Sequence, residues 1–226
     1  VLFRSKGSIQ ERPVVLISIE GLFQGGSLGE VGGAKIAGAL ELAVEDNLKG
    51  IPTAAILLLE TGGVRLQEAN LGLAAIAEIQ AAIVNLRQYQ PVITVVAGSV
   101  GCFGGMSIAA GLCSYIVMTQ EGRLGLNGPQ VIEQEAGVQE YNAKDRPFIW
   151  SITGGNQRFT SGLVDAYVYD DRQKIRQQVI DYLTQGVPHQ HRSSNYSFYL
   201  AKLQQVDTAE QITPAQVQAL YQGEQA

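Results

Sequence analysis

Three apolar runs set the rhythm of the chain. Residues 13–19 (PVVLISI), 53–59 (TAAILLL) and 92–97 (VITVVA) are short, continuous and rich in Val, Ile and Leu. That is the pattern of strands buried on both faces. Each run leads into glycine: Glu20-Gly21 after the first, Glu60-Thr61-Gly62-Gly63 after the second, residues 98–105 after the third. Between the runs the period changes. Residues 33–48 place Ile36, Leu40, Ala43 and Val44 on one face. A stretch from Arg65 to about Arg87 carries Ala69, Gly72 or Leu73, Ile76, Ile79, Ile83 and Leu86, spaced by three and four. Two amphipathic helices are predicted. A third helix, small and apolar, is expected to start at Gly104 or Gly105. The alternation predicts an α/β fold with right-handed crossovers. Ligands should gather where the strands end in glycine turns.

The remainder is less regular. Residues 115–118 and 166–169 read as strands, and 123–126 as a shorter one. Helices are expected over 129–137 (PQVIEQEAG), 146–152, 171–185, 198–203 and 214–221, with residues 188–194 as a loop. The whole reads as one domain, 1–226, with 171–226 as a helical tail.

Composition narrows the function. A net charge of −5 and a pI near 5.1 argue against a nucleic-acid partner. No apolar run approaches a membrane span. The opening VLFRSKGSIQ lacks the apolar core of a signal peptide, and its first residues read as the scar of a truncation or of cloning. Two cysteines, Cys102 and Cys113, sit on one short element with no metal-like spacing. A reduced, cytoplasmic setting is expected. Glycine, at 26 of 226 residues, exceeds the usual share of about 7%. The excess lies at strand ends, where the backbone must turn or approach something closely.

Side-chain chemistry is sparse. Residues 24–29 (QGGSLG) lack the GK[ST] of a P-loop and do not complete GxGxxG. Cys102 has no histidine near it in sequence and reads as a small core residue. Ser99 and Ser107 lack a nucleophile elbow. His189 and His191 read as solvated, Glu133 and Glu135 as surface groups. Arg65 and Glu68 are placed to pair locally. What remains is a set of backbone amides at one sheet edge, with a helix N-terminus beside it. Main-chain donors suit chemistry in which a carbonyl oxygen becomes anionic.

Taken together, several stretches resemble one family. They are residues 23–29 (FQGGSLG), Gly33-Ala34-Lys35, residues 61–68 (TGGVRLQE) and Gly104-Gly105. The chain resembles the carboxyltransferase branch of the crotonase (ClpP-like) superfamily, whose usual forms are an MGGSMG-type loop and SGGARMQE. Residues 125–137 (GLNGPQVIEQEAG), Asp145-Arg146-Pro147, Trp150 and Thr153-Gly154-Gly155 narrow the resemblance to beta subunits of biotin-independent malonate decarboxylases. The likeness covers roughly residues 13–171.

The resemblance implies a stacked ββα superhelix with two small, nearly perpendicular sheets. It implies decarboxylation of malonyl-S-acyl carrier protein to the acetyl thioester and carbon dioxide. The thioester would sit on a coenzyme A-like group, phosphoribosyl-dephospho-CoA, with no metal and no biotin. A gamma subunit, the acyl carrier protein and an alpha transferase subunit are the implied partners. Gly63 and Val64, with Gly104 and Gly105, would form the oxyanion hole. Gly25, Gly26, Ser27, Gly29 and Lys35 would lie near the nucleotide end of the prosthetic group. Rival readings are a biotin-dependent carboxyltransferase subunit and a non-catalytic scaffolding half. An intact four-cysteine zinc ribbon is excluded by the cysteine count. A crotonase hydratase would need two glutamates that are not placed after Gly105.

Overall fold

The computed structural model describes residues 2–207, 209 and 212–221. Six strands form one sheet in chain order: β1 Leu2–Ile9, β2 Arg12–Ile19, β3 Ala54–Leu59, β4 Val92–Val96, β5 Tyr115–Thr119 and β6 Ala166–Val168. β1 is antiparallel to β2, and every later pair is parallel. Between the parallel strands run α1 Glu30–Leu48, α2 Asn70–Leu86 and α3 Gly105–Leu112. The later helices are α4 Pro129–Ala136, α5 Arg146–Thr153, α6 Gly155–Thr160, α7 Arg172–Gln185, α8 Tyr196–Leu203 and α9 Pro214–Tyr221.

The period-two geometry of a strand sends alternate side chains to opposite faces. Ile17, Leu57, Val96 and Ile116 join Ile36, Leu40, Ile79 and Ile83 in the core under α1, α2 and α3. Val14, Ile56, Val95 and Val117 face the other way, toward Val179, Tyr182 and Leu183 of α7. The continuous apolar runs follow from this double coverage. Gly33 lets α1 approach α2 so closely that a Cβ there would lie 2.3 Å from Ala75 Cβ.

Three local expectations differ from the structure. Residues 2–9 form a strand, where the sequence reading placed no element. The hairpin turns through Gln10 and Glu11, both at positive φ (47° and 65°). That geometry normally advertises itself as Asn-Gly or Asp-Gly, so the turn carries no signal. β1 is an edge strand, exposed along nearly its whole length, so it shows no apolar alternation either. Residues 123–126 form no strand; single bridges hold them, Cys102 to Leu124 and Arg123 to Gly154. A separate helix, α6, follows α5 after a break at Gly154.

Those bridges belong to a second layer beyond the strand ends. Leu28 pairs with Val64, Thr61 with Cys102, and Cys102 with Leu124, all in parallel. The implied second sheet is therefore present as a ladder of isolated bridges. It stacks the segments that follow β2, β3, β4 and β5.

Candidate active site

Two bends meet in this layer. The segment after β3 turns at Gly63, with φ of 109°, and the segment after β4 turns at Gly104, with φ of 62°. Both conformations favour glycine. A Cβ on Gly63 would lie 3.2 Å from Gly104 Cα, and one on Gly104 would lie 3.1 Å from Gly63 Cα. The bends are in van der Waals contact.

Hydrogen bonds from neighbouring segments hold them there. The Phe103 N–H donates to Thr61 O at 2.9 Å, and the Thr61 N–H to Gly101 O at 2.7 Å. The Leu28 N–H donates to Gly63 O at 2.8 Å. Thr61 is fully buried. Its hydroxyl donates to Gly26 O at 2.7 Å and accepts the Gly63 N–H at 3.1 Å. Glu60 ties the strand ends together, accepting N–H groups from Gly21 at 3.2 Å and Val100 at 3.3 Å. Sequence reasoning placed both residues at the end of the strand and gave neither a role of its own. Their signal was polar side chains ending an otherwise apolar strand.

The four expected oxyanion residues divide into two kinds. The Gly63 N–H is taken by Thr61, and the Gly104 N–H donates to Leu126 O at 2.7 Å. The N–H groups of Val64 and Gly105 have no acceptor among the described residues, and neither has that of Met106. Gly105 and Met106 open α3, whose first amides have no intrahelical partner. A Cβ on Gly104 would stand 3.7 Å from the Val64 nitrogen. The bend therefore leaves free donors on both of its sides.

A family model, the carboxyl transferase domain, matches residues 2–224. The chain belongs to the carboxyl transferase domain family. Its stacked fold is shared with solved members. A hetero-tetramer of Pseudomonas malonate decarboxylase in complex with malonate is 65% identical, with a TM-score of 0.94 over 97% of this chain and 80% of that one. The Pseudomonas malonate decarboxylase MdcD–MdcE hetero-dimer is 62% identical, with a TM-score of 0.81 over 90% of this chain and 85% of that one. Among curated relatives, the malonyl-S-ACP:biotin-protein carboxyltransferase MADC of Malonomonas rubra is 41% identical over 76% of this chain. The chain spans 57% of that relative's length.

In this carboxyl transferase domain the loop at residues 24–29 has a different character from the bends. A Cβ on Gly26 would meet Glu60 O at 2.0 Å, and one on Gly29 would meet the Glu68 carboxylate at 2.1 Å. Arg65 donates to Ser27 Oγ at 3.3 Å and Ser27 O at 3.1 Å, and pairs with Glu68 at 2.7 Å. The Glu30 N–H at the start of α1 donates to Glu68 at 2.7 Å. That bond, opposed by partial burial and aided by Arg65, holds the Glu68 carboxyl below its usual range. A carboxylate already occupies the N-terminus of α1. Gly25 is exposed, and its carbonyl accepts the Gly62 N–H at 2.7 Å. Lys35 is exposed on α1, and its ammonium meets no acceptor among the described residues.

The remaining candidates are structural. Cys102 and Cys113 are unpaired and fully buried. Burial raises both thiols, Cys113 to about 11, so neither offers a thiolate near neutrality. Glu133 accepts the Ala143 N–H at 2.7 Å. His189 is exposed as expected, but His191 is half-buried, with an Nδ1 that meets no partner among the described residues. Burial first, then Arg87 and Arg192, lower its pKa. Among the described residues no cluster of His, Cys, Asp and Glu could hold a metal ion. No described helix is long and apolar enough to cross a membrane.

Proposed function

We propose that this chain is the beta subunit of a biotin-independent malonate decarboxylase. It would act on a malonyl thioester carried by an acyl carrier protein, together with a gamma subunit. An alpha transferase subunit would load the malonyl group. The observation that carries this reading is the contact between Gly63 and Gly104, which leaves the amides of Val64 and Gly105 without acceptors among the described residues.

The chemistry asks for little else. The bond between the α-carbon and the malonyl carboxylate breaks, and carbon dioxide leaves. The electron pair passes to the thioester carbonyl, giving an enolate. Val64 and Gly105 donate to that oxygen, each such donor being worth about 3–4 kcal/mol of barrier. The α-carbon then takes a proton to give the acetyl thioester.

A partner is supported by the surface around the bends. Leu22, Leu66 and Leu126 are 90%, 86% and 59% exposed, beside segments that build the site. A second subunit on this face would cover them and exclude water from the enolate. The Pseudomonas protein with which the chain shares its fold was solved as such a hetero-dimer.

The phosphoribosyl-dephospho-CoA group is supported less evenly. Gly26 and Gly29 pack against Glu60 and the Glu68 carboxylate, and Ser27 accepts from Arg65, so these three support the nucleotide end less well. Exposed Gly25 and the Lys35 ammonium fit its nucleotide end better, by exposure and charge.

A second reading has its own support. The Malonomonas relative is a biotin-protein carboxyltransferase, in which the same enolate chemistry would deliver the carboxyl group to biotin. The test is malonate-dependent carbon dioxide release by the complex co-purified with the chain, with and without avidin. Undiminished release under avidin is expected. Loss of turnover on adding avidin would favour the biotin-dependent enzyme.

A further inference from the structure

The helices that follow the second layer enclose a cavity that decarboxylation leaves without a role. It measures about 300 Å³ and lies between α4, α5, α6 and α9. Ile132, Phe148, Ile152 and Val217 give it apolar walls. None of the bend residues lines it. Its lid is α9, held by α6: Gln157 Nε2 donates to Pro214 O at 3.2 Å, and Gln218 Nε2 to Gln157 Oε1 at 2.6 Å.

Two polar groups in the wall stand out. Tyr141 is only 8% exposed, and its hydroxyl is buried with no partner among the described residues. Native structures rarely leave such a group orphaned. Arg158 donates through Nε to Leu124 O at 2.8 Å. Its two terminal nitrogens meet no acceptor, and it forms no ion pair among the described residues. Burial lowers the Arg158 pKa and raises that of Tyr141, while Arg123 and Arg158 pull the phenol back down. Glu140 lies at the rim, exposed to solvent and unpaired with Arg158.

We infer that this cavity binds a small monocarboxylate with an apolar body. A guanidinium only donates, and its planar fork matches a carboxylate. The Tyr141 hydroxyl supplies a second donor to the same head group. Phe148, Ile152 and Val217 would enclose the body. The volume lies at the small end of ligand pockets, and one arginine with one phenol suits a single negative charge. The site is separate from the bends but anchored to them. Arg158 holds Leu124 O, and Leu126 of the same segment accepts the Gly104 N–H.

The test is calorimetric titration of the full chain with sodium hexanoate, with hexanol and hexylammonium as controls. Hexanoate should bind saturably at one site per chain, and both controls about tenfold or more weaker. Tyr141→Phe keeps the ring and removes the orphaned hydroxyl. It should weaken hexanoate about threefold while leaving the melting temperature no lower. Val217→Trp should fill the cavity from its lid and abolish binding. Equal binding of hexanoate and hexanol, hexanoate affinity untouched by Tyr141→Phe, or no saturable binding to the wild-type chain would each overturn the inference. The last result would leave a pocket that holds water alone.

Discussion

Two glycine-rich regions of this chain look alike in sequence and do opposite things. At residues 24–29 the glycines make room for protein. Gly26 admits the Glu60 carbonyl, and Gly29 admits the Glu68 carboxylate. The amide at the helix start beyond them is capped by that same carboxylate. At Gly63 and Gly104 the glycines make room for each other, and three amides beside them keep no acceptor among the described residues. Glycine marks close backbone approach in both places. At the second, the amides of Val64 and Gly105, which meet no acceptor among the described residues, stand on the two sides of one backbone contact, the arrangement the proposed oxyanion hole needs.

Substitutions should separate the two regions by what they damage. Gly104→Val forces a β-branched residue into a positive-φ bend and sets its Cβ beside the Val64 nitrogen. Malonyl-carrier turnover by the complex should fall about 10³-fold, near the upper range for one lost oxyanion donor, with far-UV circular dichroism little changed. Gly26→Ala should do the reverse. Its Cβ collides with backbone at 2.0 Å, so unfolding in urea should show a loss of about 1–3 kcal/mol. Turnover per folded molecule should stay within about twofold of wild type, well short of the 10²–10³ that a lost donor costs.

Thr61→Val joins the regions, because the hydroxyl it removes bonds both Gly26 and Gly63. Leaving those groups unpaired should cost about 1–3 kcal/mol of stability, with a smaller fall in turnover than Gly104→Val. Lys35→Glu should raise KM for the carrier thioester a few-fold with kcat unchanged, since an exposed charge contributes only about 1 kcal/mol.

The smallest expected effect lies outside both regions. The folded-state pKa of His191 lies below its unfolded value of about 6.5. Between those values the unfolded chain binds more protons, so stability should fall as pH drops below about 6.5 and level off under the folded pKa. His191→Gln should flatten that part of a pH series of melting temperatures.

Much of this architecture was legible because burial on two faces leaves a continuous apolar run, and crossover helices leave a three-and-four stripe. Residues 53–59 and 92–97 and the stripe through Ile76, Ile79 and Ile83 carried both patterns. The β1–β2 hairpin was not legible, since neither its turn through Gln10-Glu11 nor its exposed edge carries a pattern. At the site, the bends were legible and the donors only partly so. Gly63 and Gly104 announce positive φ, but their own amides are used inside the fold. The residues that follow them keep theirs. Which amide remains free depends on Thr61 and Leu126, and those are tertiary neighbours that no local spacing encodes.

The most direct measurement is a structure of the assembled complex with a non-decarboxylating malonyl thioester analogue. The thioester oxygen should lie about 2.7–3.1 Å from both the Val64 and the Gly105 nitrogens, the range expected of an oxyanion hole. A thioester oxygen seated away from these two amides, or bonded only by a partner subunit, would contradict the account.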